Sequence, residues 1–229
     1  MLVGLTACEM VAPETLVDEL RVVAATVEPL EAAPGEQVSL RAWVADPLET
    51  GFEVWAWDGL GLSEVVRLEG TEGSWTVPAE AAALTLEGSV EVPLWVLACE
   101  PGLCTAPTTE QRADPNTLLE DLPLTGVSLA LRTLWLGTEG RTNPTLTPAD
   151  TPLEVAPGDQ LDLAFETDAE TAFGLATAGG FVERETDAVD GAFEAMFLAP
   201  EVEEVATAWV VVQGADGGTA VWTGSIEVR

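Results

Sequence analysis

The chain contains no lysine, no histidine and no tyrosine; its basic residues are eight arginines among 229 residues. Histidine is the usual general base near neutral pH and the commonest metal ligand. Its absence excludes Ser-His-Asp and Cys-His catalysis and histidine–zinc sites, and the absence of lysine excludes Schiff-base chemistry. A carboxylate pair of the glycosidase type is the one common acid–base device this inventory still permits. With forty acids in the chain, chance proximity of two carboxylates has little weight. A non-enzymatic role is therefore expected, with no cofactor, and a carboxylate-dependent hydrolase is the distant alternative.

Positive charge is scarce everywhere. Residues 1–140 carry 23 acids and 5 arginines, and residues 141–229 carry 17 and 3, for a net charge of −32. Phosphate recognition needs clustered Lys/Arg, so nucleic acid is excluded as a partner. Adsorption to anionic lipid head groups is disfavoured for the same reason. An acidic surface suits a saline habitat or a cationic partner; a solvated acidic coat that keeps the protein dispersed is the plain account.

Long apolar runs are missing too. No stretch approaches the roughly 20 residues that cross a bilayer. The extreme N-terminus nevertheless carries Leu5-Thr6-Ala7-Cys8, which reads as a lipobox, the site where a signal peptide is cut and a lipid is attached to the cysteine. Only seven residues precede Cys8 and none is charged. A signal peptide needs a basic region and a longer apolar stretch, so the start of translation is expected upstream. Glu9 follows the cysteine where an aspartate would suggest inner-membrane retention, which favours the outer membrane.

Cysteine is nearly absent as well. Besides Cys8 there are Cys99 and Cys104, either side of Glu100-Pro101-Gly102-Leu103. Pro-Gly makes a turn, and a turn brings two sulfurs into bonding range. A disulfide closing a small loop is expected, and it places the protein outside the cytoplasm.

What is abundant is repetition and alternation. Pro29–Leu40 matches Pro152–Leu163 at eight of twelve positions, with an offset of 123 residues. That period is the size of a domain. Each copy holds Pro-Gly, a tight turn, followed by an alternating strand: Val38, Leu40, Ala42 and Val44 in the first, Leu161, Leu163 and Phe165 in the second. Period-two alternation marks a sheet with one buried face. Further strands are expected at 51–57, 89–98 and 127–135. The clearest hairpin is Val205–Gln213, a five-residue loop Gly214–Gly218, and Thr219–Val228. Many short strands with Gly/Pro turns predict an all-β chain built as two tandem sandwiches. The expected divisions are a signal-peptide remnant and lipobox at 1–8, a tether at 9–18, a first sandwich at 19–138, a linker at 139–150 and a second sandwich at 151–229. A polar, Pro-containing insertion at 103–122 falls late in the first sandwich.

On Leu5–Cys8, the two Pro-Leu-Glu-x-Ala-Pro-Gly openings, and Ala208–Val212 with Gly214–Gly218 and Trp222, the chain resembles bacterial lipoproteins carrying immunoglobulin-like β-sandwich domains. The resemblance implies that each opening marks the first strands and that the Asp-Gly-Gly loop joins the last two. The antibody pattern of Cys, Trp and Cys is absent. The expected role is a binding, adhesion or spacer module of the bacterial cell envelope, on the periplasmic face or the cell surface, meeting the membrane through Cys8 and an unidentified protein or glycan partner.

Two sets of residues are candidates for more specific work. Asp187 and Asp190, and Asp216 in the last hairpin loop, lie in acidic glycine-bearing turns that could collect oxygen ligands for calcium, although neither loop has the spacing of a dedicated calcium loop. Trp55 and Trp57 share a strand face, and Trp43 lies opposite Leu40. Exposed, they would form an aromatic surface for stacking on a sugar or an apolar partner; buried, they would be packing.

Overall fold

The structure is a computed structural model. It describes residues 15–86, 88–113, 115–123, 125–149, 152–183 and 186–229; the lipobox and Cys8 lie outside the described residues. The first half contributes eight strands: β1 (Arg21–Glu28), β2 (Glu31–Ala32), β3 (Gln37–Ala45), β4 (Glu53–Asp58), β5 (Val66–Arg67), β6 (Glu72–Thr76), β7 (Val90–Cys99) and β8 (Val127–Leu136). The second half contributes nine: β9 (Leu146–Pro148), β10 (Glu154–Val155), β11 (Gln160–Thr167), β12 (Thr171–Ala176), β13 (Gly180–Phe181), β14 (Thr186–Asp187), β15 (Ala192–Leu198), β16 (Glu204–Gln213) and β17 (Thr219–Val228).

The strands form four sheets, two for each sandwich. The first sandwich sets β1-β3-β6 against β2-β8-β7-β4-β5, and the second sets β13-β15-β11-β9 against β10-β17-β16-β12-β14. In each half a short strand runs parallel to the last strand, β2 along β8 and β10 along β17. All the longer pairings are antiparallel. This order, with the first strand split between both sheets, is the immunoglobulin-like arrangement.

The sequence repeat is a structural one. Pro34-Gly35 and Pro157-Gly158 occupy the same turn: Glu36 donates to Ala33 and Asp159 to Ala156, each at 3.0 Å. Gly35 and Gly158 take φ of +88° and +75°, the left-handed backbone that a type II turn requires and glycine tolerates. The turn also reaches across to the next strand pair, with Gly35 donating to Val77 and Gly158 to Pro200.

Alternation then fills two cores. Val38, Leu40, Val54, Val92, Leu94 and Leu134 meet inside the first sandwich. Leu163, Phe165, Phe193, Phe197, Val210 and Ile226 meet inside the second. Each such side chain taken from water contributes about 1.5–3 kcal/mol before chain entropy is charged against it. The hairpin β16/β17 pairs Gln213 with Thr219 around residues 214–218, as the alternation predicts.

Two features were not legible as strands or helices in the sequence. The second sandwich has an added edge strand, β13, whose Phe181 is 2% exposed. It packs so close to Gly174 that a Cβ there would lie 2.4 Å from the ring. The insertion between β7 and β8 folds into α1 (Thr109–Ala113) and α2 (Pro115–Asp121). A capping box starts it: Thr108 donates its N–H to Gln111 Oε1 at 2.9 Å and accepts the Gln111 N–H on Oγ1 at 3.3 Å. Among the described residues no helix is long and apolar enough to cross a membrane.

Candidate functional site

The outer face of β4 and β7 carries Trp55, Trp57, Trp95, Leu97 and Cys99. Alternation puts these residues opposite the core, where solvent would normally be. They are roofed instead. Trp57, Leu97 and Cys99 are buried with Leu118 of α2, and Leu122 and Cys104 pack beside them. Cys99 and Cys104 are joined by a disulfide, which ties the start of the insertion to the sheet. Arg112 of α1 donates to the Ser63 carbonyl at 2.5 Å. That loop is itself organised by the buried Asp58, whose carboxylate accepts the N–H groups of Leu60, Leu62 and Ser63 and the Ser63 hydroxyl.

The aromatic surface expected from Trp43, Trp55 and Trp57 is therefore not formed. Trp57 is 1% exposed and stacks near Trp95, with ring centroids 6.5 Å apart. Trp55 is half-buried beneath Arg67, 5.4 Å from its ring. Trp43 belongs to β3, in the other sheet of the sandwich, and packs at the edge of a third apolar cluster. That the insertion would cover β4 was hard to read, because its two anchoring leucines, Leu118 and Leu122, lie in a polar stretch.

The third cluster joins the two halves. Val17, Val23, Ala24 and Ala45 from the first half meet Leu175, Trp209 and Val211 from the second, and all are buried. The segment before β1 takes part. Val17 donates to the Ala176 carbonyl at 2.8 Å, and Thr15 Oγ1 both donates to the Phe181 carbonyl and accepts the Phe181 N–H. Residues 15–17, expected within a tether, are thus stitched to β12 and β13 of the second sandwich.

Beside this seam lies a polar clamp. Glu31 sits on β2 with its side chain 1% exposed and pairs with Arg141 at 3.2 Å. Its carboxylate also accepts the Ser89 hydroxyl and the N–H groups of Gly140 and Arg141, at 2.5 and 2.9 Å for the latter two. Burial alone would raise its pKa. The hydrogen bonds from Ser89 and from the backbone of residues 139–141 outweigh burial and hold it at about 2.

Arg141 lies 3.9 Å over the Trp135 ring, a cation–π contact, and reaches Glu139 at 2.7 Å and Asp216 at 3.4 Å. Trp135 donates its indole N–H to the Asp216 carbonyl at 2.8 Å. Asn143 donates to the Val27 carbonyl and accepts the Thr219 N–H. A segment expected as a linker is a wedge bonded to both sandwiches.

The hairpin loop 214–218 owes its glycines to this contact. A Cβ on Gly218 would lie 2.7 Å from Leu30, and one on Gly217 2.9 Å from Thr133. Asp216 thus faces a cation and an indole. Asp190 and Gly191 both take left-handed backbone, with φ of +53° and +80°. They form the two-residue turn between the paired residues Val189 and Ala192, the geometry that closes tight hairpins. Among the described residues no group of three acids or cysteines is placed to hold a metal ion; Asp187 lies in β14, paired with Thr171, Asp190 in the turn and Asp216 in the clamp.

Comparison with known proteins adds structures of low similarity. No protein-family model matches the chain, and no curated protein sequence does. The D0–D1 domain of intimin is similar over 90% of this chain and 98% of its own, at 11% identity and a TM-score of 0.29. The human OSCAR ligand-binding domain covers 91% of this chain and 98% of its own at 12% identity and a TM-score of 0.27. The Yersinia pseudotuberculosis adhesin InvE covers 93% of this chain and 60% of its own at 11% identity and a TM-score of 0.27.

Proposed function

We propose that the chain is a non-catalytic module of the bacterial cell envelope, lipid-anchored through Cys8 in the outer membrane, whose two sandwiches act as one rigid binding or spacing unit. The observation that carries this reading is the clamp of Glu31, Arg141, Trp135 and Asp216 beside the buried seam. A chain that only needed a string of beads would not bury a charged pair and fit glycines against the neighbouring sandwich at the junction.

The charge supports the anchor. A surface with a net charge of −32 is repelled by anionic lipid, so lasting contact with a membrane has to come from something other than surface adsorption. Single acyl chains bind weakly and multiple chains bind durably, which is what a lipidated N-terminal cysteine supplies. Because Thr15 is bonded to the second sandwich, the chain emerges at the seam. Residues 9–14 then separate fold from anchor, a span of at most about 20 Å. The body is held close to the bilayer by its middle.

Expression of the gene with its upstream region in a Gram-negative host tests this reading. Intact mass of the membrane fraction should show a triacylated N-terminal cysteine, and Cys8→Ser should move the protein to the soluble fraction. An unmodified soluble protein would overturn the anchor.

A further inference from the structure

A polar cleft of about 450 Å³, open to solvent, lies at the junction of the two sandwiches, lined on one side by β1 and β8 and on the other by β12 and the end of β16. Among the described residues no Asp or Glu lines it, although the chain has forty. Two of the eight arginines do, Arg21 and Arg132, together with Ser128, Gln213 and Thr15. Apart from Arg21, Arg132 therefore faces a lining of neutral groups and backbone.

Arg132 is the informative member. Arg41, Arg67, Arg141 and Arg229 each pair with a carboxylate. Among the described residues Arg132 has no such partner. Its Nη1 donates to its neighbour's carbonyl, Leu131, at 2.6 Å, and Nη2 reaches the Val23 carbonyl only at 3.5 Å. Its Nε is shut off from solvent and has no acceptor. Burial lowers its pKa from the ordinary arginine value, yet a guanidinium stays protonated in proteins. A partly buried guanidinium with an open, water-excluded Nε donor is costly unless an anion completes it. Ser128 Oγ accepts the Val22 N–H at 2.9 Å, and its hydroxyl proton adds a further donor. Clefts of this volume between domains are where small ligands commonly bind. A guanidinium fork matches the paired oxygens of a carboxylate or phosphate.

We propose that this junction binds a small oxyanion, a carboxylate or phosphate group, held by Arg132 with the Ser128 hydroxyl at the wall. Asp18 and Glu19 line a smaller depression that adjoins the cleft and shares Arg21 and Ser128 with it; these acids disfavour large polyanions, so the ligand is a small molecule. The site stands on the docking of the sandwiches and is independent of the lipid anchor.

Thermal unfolding of the full chain tests it, with inorganic phosphate and succinate as separate probes at 10 mM, each against sodium chloride of equal ionic strength. The matched salt removes general screening of the acidic surface. One of the two probes should raise Tm by about 3 °C beyond the chloride control, as a millimolar site would, and the responding probe identifies the group recognised. Arg132→Gln should abolish that increment. Gln213→Glu, which places a carboxylate in the cleft and leaves Arg132 its carbonyl bonds, should abolish it too, so the test survives if Arg132→Gln fails to fold. No anion-specific increment in the wild type, or an equal increment in Gln213→Glu, overturns the proposal.

Discussion

Glu31 and Glu154 hold the same position in the two repeats and do different work. Glu31 is buried against Arg141 at 3.2 Å and bonded to the wedge between the sandwiches. Glu154 pairs with Arg229 at 2.5 Å in the open, with both side chains more than half exposed. Both carboxylates have lowered pKa values. For Glu31 the hydrogen bonds overcome burial; for Glu154 the cause is the hydrogen bond and charge of Arg229. Only the first is insulated from solvent screening.

The first prediction follows. Removing the Glu31 carboxylate leaves Arg141 its contacts with Glu139 and Asp216 but takes the acceptor from the Ser89 hydroxyl and the Gly140 and Arg141 N–H groups, at a cost of about 1–3 kcal/mol. Glu31→Ala should therefore destabilise the protein by an amount in that range in urea unfolding, while Glu154→Ala leaves the midpoint nearly unchanged.

The pH dependence has a definite sign. Glu31 titrates lower in the folded chain, about 2, than the ordinary value of 4.5. Its contribution is complete above pH 4.5 and fades as the pH falls toward 2. The stability gap between the wild type and Glu31→Gln should be constant from pH 7 to 5 and shrink steadily below 4.5. A gap that widens on acidification would contradict the assignment.

Val211 is fully buried in the seam. An aspartate there would lie among Trp209, Leu175 and Ala24 with no hydrogen-bond partner, a costly burial in either protonation state. Val211→Asp should uncouple the halves, turning a single calorimetric transition into two, with each sandwich still folded by circular dichroism.

The roof over β4 and β7 gives a local prediction. The disulfide closes a short loop, worth about 2 kcal/mol by chain entropy. Cys104→Ser should lower stability by that order. Leu118→Ala, which hollows the contact with Trp57, should shift tryptophan emission to the red as the insertion lifts.

Much of the fold was legible because it is written in period two and in glycine. The alternation of β3, β7, β11 and β17 and the paired Pro-Gly turns fix an all-β chain of two similar sandwiches. Cys99 and Cys104 announced their own contact. The relation between the sandwiches was not legible. Arg141, Asn143 and Asp216 sit in loops with no periodicity, and their roles arise from residues over a hundred positions away. The outer face of β8 was ambiguous as well. Val127, Leu129 and Leu131 share a side, but the core takes Ala130, Leu134 and Leu136 from the other. Arg132 therefore lies on the inward side, where it meets the junction. The tryptophans misled for a related reason. Their strand face is solvent-facing in an isolated sandwich, and the capping box at Thr108 and Gln111 was the one local sign of helices available to cover it.

The central claim is that the two sandwiches move as one body. Residual dipolar couplings of backbone amides, measured separately over residues 21–136 and 146–228 in one aligning medium, test it most directly. The clamp and seam predict a single alignment tensor, with equal magnitude and orientation in both halves. Two tensors of different magnitude would show that the sandwiches reorient independently, and would contradict the account.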